Sequence, residues 1–252
     1  MTGTGGHRFV LLHGLAGSPA MWRPVAALLA PHGPVTVPEL PWNGTASAEW
    51  AHTGGQADAL AGCYGPGDIV VAHSYAATLL LGRLARGEGP APRATVLVSP
   101  FYRPRPRDFT WATLGHYMHD FHLLLAEGVR AASQRQVPDD LLRDMAVSVR
   151  DRIGPYGWIR FFETYLASAT WDLAAVPGPV GLVHGEDDEV VEAGSSRDLH
   201  ERLTGSTVRL LAGAAHFPML LAPAELAEEI TRTAARAPHV HPVPEPSQEV
   251  PA

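Results

Sequence analysis

The sequence contains no lysine; its 19 permanently cationic side chains are all arginine. That removes a Schiff-base amine and the phosphate-gripping lysine of a P-loop. Cysteine is almost as scarce. Cys63 stands alone, so no disulfide can close within the chain and no zinc–thiolate cluster can form. No run approaches the ~18 apolar residues of a membrane-spanning helix. The first residues, Met1 to Arg8, lack the apolar core of a signal peptide, and a cytoplasmic location is expected. Positive charge is in deficit as well. A net charge of −7 argues against nucleic acid or an anionic membrane surface as the main partner. Neither a dinucleotide-type glycine fingerprint nor a metal-ligand framework is present, so no cofactor is expected.

What remains is ordinary globular material. The chain has 252 residues, 46% hydrophobic and 18% charged, enough for one large domain or one domain with an insertion. The proline- and glycine-rich, lysine-free composition reads as the coding bias of a GC-rich genome. Short apolar runs recur as candidate strands: Phe9–Leu12, Pro34–Val37, Asp68–Ala72, Arg93–Ser99, Pro179–Val183 and Thr207–Leu211. Between them lie helical patterns: 20–30 with an apolar face of Trp22, Val25, Leu28 and Leu29, a weak one over 47–63, then a run of helix formers after Ala76, 195–203 and 223–236. Ser18 and Pro19 read as the cap and first position of the first helix. Continuous apolar strands alternating with helices predict an α/β fold, a mostly parallel sheet with helices on both faces.

The rhythm breaks after Pro100. From 101 to 171 no strand pattern appears; three helical stretches, 108–134, 138–152 and 156–169, carry many aromatics, among them Trp111, Tyr117, Phe161, Phe162 and Tyr165. The expected division is a core in two parts, 1–100 and 172–236, an all-helical cap over 101–171, and a disordered proline-rich tail over 237–252.

The segment from Asp68 to Leu81 holds the sharpest local signal. A β-branched apolar run turns through Ala72-His73-Ser74-Tyr75-Ala76 and continues as good helix formers. This is the layout of a nucleophile elbow, although alanines stand where the usual G-x-S-x-G has glycines. The competing reading is a serine capping an ordinary strand-to-helix turn. Three further turns follow strands: His13-Gly14-Leu15, Asp187-Asp188 and His216. Strand C-termini are where parallel sheets bind ligands.

With these four segments in the order His-Gly loop, H-S-Y elbow, H-G-E-D-D-E-V-V and G-A-A-H-F-P, the sequence resembles the α/β-hydrolase fold superfamily from about Phe9 to Arg236. It is closest in type to small cap-bearing bacterial esterases and plant methylesterases. The chain begins at what corresponds to the third strand of the full fold, so a compact version is expected. The resemblance implies Ser74 as nucleophile, His216 as base and Asp188 as its carboxylate partner, with Asp187 the neighbouring alternative. It also implies an oxyanion hole from the N–H groups of Leu15 and Tyr75. The implied activity is hydrolysis of a carboxylic ester, thioester or lactone with an apolar group, through an acyl-enzyme. Two other readings stay open: non-hydrolytic or C–C bond chemistry (elimination, cyclisation, β-diketone cleavage), and a non-catalytic ligand-binding protein. Epoxide and haloalkane hydrolysis are disfavoured, because that resemblance requires an aspartate where Ser74 stands. The expected partner is a small acyl substrate; Arg103, Arg105 and Arg107 leave room for a coenzyme A phosphate or an acidic carrier protein. His116, His119 and His122, with Asp120, read as polar lining or surface rather than as a metal site. His13, His73 and His184 read as structural histidines beside the motifs.

Overall fold

The computed structural model describes residues 7–238 except 46, 134–136 and 192; it also leaves undescribed the side chains of His119, Asp120, Phe121 and Leu124. Six parallel strands form one sheet in the order β2-β1-β3-β4-β5-β6. They are β1 Phe9–Leu12, β2 Val35–Thr36, β3 Ile69–His73, β4 Ala94–Val98, β5 Val180–Gly185 and β6 Thr207–Leu211. The inner strands β1, β3, β4 and β5 are buried along their whole length. This is why they read as continuous apolar runs and not as alternating ones. Ile69 pairs with Phe9 and Ala94, and the register runs unbroken to His73 opposite Val98.

Helices α1 (Arg23–Leu29), α2 (Ser74–Ala85), α5 (Gly194–Arg202), α6 (Pro218–Leu221) and α7 (Pro223–Ala235) accompany the sheet. Every residue of α2 is buried, in keeping with its apolar, small-residue sequence. Between β4 and β5 run two long helices, α3 (Trp111–Ala132) and α4 (Asp139–Ala167). Thr110 caps α3, its hydroxyl accepting the Thr113 N–H. Gly154 and Pro155 break α4 into two halves, Gly154 at φ 66°. No helix of the described residues is long and apolar enough to cross a membrane.

Three local expectations are corrected. The helix expected over 47–63 is absent; the segment makes two 3₁₀ turns, Ala48–Ala51 and Gln56–Leu60. Gly55 and Gly62, both at positive φ, interrupt it. Leu28 is exposed, while Trp22, Val25 and Leu29 are buried. At ~100° per residue these three share a line from which Leu28 is turned away. The residues after His216 form the short helix α6, which the sequence reading passed over. The expected helix end at Gln134 lies outside the described residues, as does the tail from 239 onward.

The chain steps outward from β1 to β2, then returns to the other side of β1 as β3. This reversal puts the C-terminal ends of β1 and β3 at a topological switch point, the crevice where open parallel sheets bind ligands. Behind the crevice the sheet is tightly packed on α7. A methyl group at Gly181 of β5 would overlap the buried Thr233 hydroxyl. Gly181→Ala is therefore expected to lower unfolding free energy by about 1–3 kcal/mol in urea titrations, without altering the sheet's far-ultraviolet signature.

Candidate active site

Ser74 stands at the end of β3 with φ 55°, a conformation rare for a residue bearing a Cβ. It does not cap α2. Its Oγ lies 3.0 Å from His216 Nε2. Ala72 and Ala76, in place of the usual glycines, are fully buried, and the elbow forms with them in place. The close approach that the turn needs is supplied from the facing loop: a Cβ on Gly14 would lie 2.9 Å from Ser74 Cβ.

His216 follows β6 and points back over β5. Its Nδ1 lies 2.8 Å from Asp188 Oδ2. A carboxylate can only accept, so Nδ1 carries the proton, and Nε2 accepts from the Ser74 hydroxyl. Asp188 accepts more widely: Oδ1 takes the Val190 and Val191 N–H groups at 3.1 and 2.8 Å, while His184 Nε2, which donates to the Val191 carbonyl at 2.6 Å, stands 3.1 Å from Oδ2. Asp187 is exposed and engages the Ala214 carbonyl through its own N–H; it is Asp188 that meets His216. Burial alone would raise the Asp188 carboxyl. The attraction of His216, with hydrogen bonds from His184 and His216, outweighs it and holds the group well below the usual carboxylate range.

The neighbouring histidines hold this arrangement. His73 Nε2 donates to the His216 carbonyl at 2.8 Å; burial, then the nearby His216, lowers its basicity far below normal, so it serves as a neutral donor. His184 Nδ1 accepts from Ser196 at 2.8 Å. Burial also lowers the basicity of His13, whose Nε2 accepts the Leu40 N–H while Nδ1 donates to the Gly14 carbonyl. This steadies the loop that carries Leu15. Trp42 reinforces it, with Nε1 donating to the His13 carbonyl and its own carbonyl accepting the Ala16 N–H. Tyr75 opens the first turn of α2, where amides have no intrahelical acceptor. Its ring is packed against Trp42, Trp50 and Phe161, and its hydroxyl is buried near Thr164 of α4. Leu15 and Tyr75 thus flank Ser74 on its two sides.

Gly185 makes room for the His216 turn: a Cβ there would collide with the carbonyls of Ala214 and Ala215. Phe101 and Phe217 stand over the imidazole, ring centroids 5.9 and 5.2 Å from it. Ser74 is left only 5% exposed. A mainly apolar cavity of about 190 Å³ adjoins His73 and the Gly14 loop, lined also by Leu15, Met21, Leu125, Val129, Val149 and Phe217; neither Ser74 nor His216 lines it.

One partner of the site escaped sequence reading: Glu127, on α3, accepts the His216 N–H at 2.9 Å and lies in a helical run with no motif. His73 is the structural histidine expected, and its acceptor is the His216 carbonyl. The arginines of the 103–107 link have local engagements: Arg103 Nε donates to the Tyr165 hydroxyl, Arg105 pairs with Asp108, and Arg107 is exposed. His116 lines a cavity together with Glu127 and Arg130; the His119 and Asp120 side chains lie outside the described residues. Among the described residues no three His, Cys, Asp or Glu side chains are grouped to hold a metal.

The alpha/beta hydrolase family model matches residues 9–229. No curated protein sequence matches the chain. Among solved structures, Est816, an N-acyl homoserine lactone degrading enzyme, has a TM-score of 0.63 at 16% identity, covering 90% of this chain and 93% of its own. A haloalkane dehalogenase variant from Bradyrhizobium elkanii gives 0.63 at 18% identity, with 92% and 90% covered. The thioesterase domain from the curacin biosynthetic pathway gives 0.60 at 18%, with 90% and 91% covered. At such identities the likeness is one of fold.

The depressed Asp188 carboxyl has a consequence for acid stability. Its ionisation favours the folded state at all pH values above the unfolded carboxyl value of about 3.9, and that contribution is lost as pH falls below it. Urea midpoints of the wild type are expected to drop more steeply between about pH 5 and pH 3 than those of Asp188→Asn, which lacks the titrating group.

Proposed function

The chain belongs to the alpha/beta hydrolase family, and we propose that it is a serine hydrolase of carboxylic esters, thioesters or lactones that carry an apolar group. The observation that carries this reading is the unbroken line Asp188–His216–Ser74, with hydrogen bonds of 2.8 and 3.0 Å. In this mechanism His216 Nε2 takes the Ser74 proton as Oγ attacks the substrate carbonyl. Asp188 holds the tautomer and stabilises the imidazolium. The new oxyanion lies between the N–H groups of Tyr75 and Leu15, at the positive end of α2. Collapse of the tetrahedral intermediate expels the alcohol or thiol, which takes the proton back from His216, and leaves an acyl-Ser74. Water activated by His216 then releases the acid. With a lactone the leaving alcohol stays tethered to the acyl group.

The apolar cavity that adjoins His73 and the Gly14 loop suits the apolar acyl part. Arg103 and Arg105 are turned toward Tyr165 and Asp108, so the substrate proposed is a free small molecule and not a carrier-bound thioester.

The test is intact-mass labelling with a fluorophosphonate, followed by peptide mapping and an ester, thioester and lactone panel. One adduct on Ser74 is expected, absent in Ser74→Ala. Turnover is expected to fall by about 10³-fold or more in Ser74→Ala and by about 10⁴-fold in Asp188→Asn. Absence of any adduct on the wild type would sink the reading and move attention to non-hydrolytic chemistry on the same scaffold.

A further inference from the structure

His216 offers four hydrogen-bonding groups, and all four are engaged. Nδ1 meets Asp188, Nε2 meets Ser74, the carbonyl accepts from His73, and the backbone N–H donates to Glu127 Oε1 at 2.9 Å. Three of these partners belong to the sheet and its loops. Glu127 alone comes from α3, 89 residues away in sequence. We propose that Glu127 is a positioning residue that holds the backbone of His216 from the inserted helix and presents a negative charge to the imidazolium formed during turnover. The proposal rests on the serine-hydrolase reading above.

Two observations support it beyond the hydrogen bond. First, α3 is built to come close here. A Cβ on Gly128 would lie 2.8 Å from Phe217 Cζ, so the helix backbone is seated directly against the residue that follows His216. Second, a carboxylate is an expensive choice for a mere acceptor at this place. Glu127 faces His116 and Arg130 of its own helix, Asp187, Asp188 and Glu189 of the loop after β5, and His216. Burial, then the charges of Asp188 and Glu189, raise its carboxyl above the ordinary range, against the pull of His216 and its N–H. A neutral amide would accept the same hydrogen bond without that cost. What an amide lacks is a charge for the transient cation. Ser74 and His216 are only 5% and 1% exposed, so an imidazolium formed there has little water to stabilise it and gains from a second carboxylate.

The experiment measures kcat and KM for p-nitrophenyl butyrate from pH 5 to pH 9, with the rate of fluorophosphonate labelling at Ser74. Wild type, Glu127→Gln and Glu127→Ala are compared, and melting curves confirm folding. Glu127→Ala is expected to lower kcat roughly ten- to a hundredfold, as small displacements of a catalytic group do, with KM changed by less than about twofold. Glu127→Gln keeps an acceptor oxygen and restores most of kcat above pH 8. It also moves the acid limb of kcat/KM to lower pH by roughly half a unit or more. The sign follows because a base that has lost a facing negative charge protonates less readily and stays active further into acid. Variants that match the wild type in kcat and acid limb overturn the proposal. So does a loss that Glu127→Gln shares in full with an unmoved limb, which marks a role in folding alone. A labelled wild type with indifferent Glu127 variants sinks this proposal only; a wild type that never labels sinks the hydrolase reading and this proposal with it.

Discussion

A charge enclosed in the protein orders the candidate site. The Asp188 side chain has no exposed surface. An unpaired carboxylate in that position would cost several kcal/mol. It is met by two backbone N–H groups and the imidazole N–H of His216, with the His184 ring nitrogen 3.1 Å away. Because a carboxylate only accepts, each of these donors has its proton direction imposed. The Val191 carbonyl fixes the His184 proton on Nε2, so its Nδ1 accepts from Ser196. His216 must carry its proton on Nδ1 and so leaves Nε2 to accept from Ser74. The direction of the hydrogen bonds from Asp188 through His216 to Ser74 follows from that one negative charge.

The backbone carries a matching constraint. Ala16, Ser74 and Ser99 are the described non-glycine residues with positive φ, at 58°, 55° and 47°. All three follow the C-terminal ends of inner strands, β1, β3 and β4. Each such conformation costs on the order of 1–3 kcal/mol and persists only where the surroundings over-determine it. Here they do. Ala16 is tied to Trp42, Ser74 is gripped between β3 and a fully buried α2, and Ser99 donates its N–H to the Val183 carbonyl. The strain therefore lies along the crevice edge of the sheet, where α2 and the Gly14 loop converge on one hydroxyl. With alanines at 72 and 76, space for that convergence comes from the missing side chains of Gly14 and Gly185 instead.

Sequence reasoning reached some of this and not the rest, for physical reasons. Buried parallel strands are continuous apolar runs, so β1, β3, β4, β5 and β6 could be read within a residue or two. The polar residues just after them could be read too, because an apolar run ending in Ser, Asp or His is conspicuous. The segment from 47 to 63 misled because its spacing is weakly helical while Gly54 and Gly55 deny it a continuous helix. Glu127 could not be read at all. It is one acidic residue on an amphipathic helix, and its partner is a backbone N–H, which has no sequence signature. The roles of His73 and Tyr75 beside Ser74 were obscured by the same limit. Adjacent residues in an elbow point in different directions, and only coordinates separate a ring that reaches the His216 carbonyl from one packed among tryptophans.

Chemistry and access are built from different parts of the chain, and α3 is where they meet. Ser74, His216 and Asp188 are all held by the sheet and its loops, whereas Leu125, Gly128, Val129 and Ala132 of α3 line the cavity that adjoins His73 and the Gly14 loop. Those four positions follow the i, i+3, i+4, i+7 spacing of one helix face. Glu127 lies on the flank of that face, turned toward His216. A change of side chain at 125 or 129 alters the space in this cavity and leaves the donors to Asp188 untouched. A rotation or one-residue slip of α3 cannot do the same, because the turn that moves the cavity face also withdraws the Glu127 carboxylate from the His216 N–H. Side-chain identity on the cavity face of this helix therefore has a latitude that its register, tied to the backbone of His216, does not have.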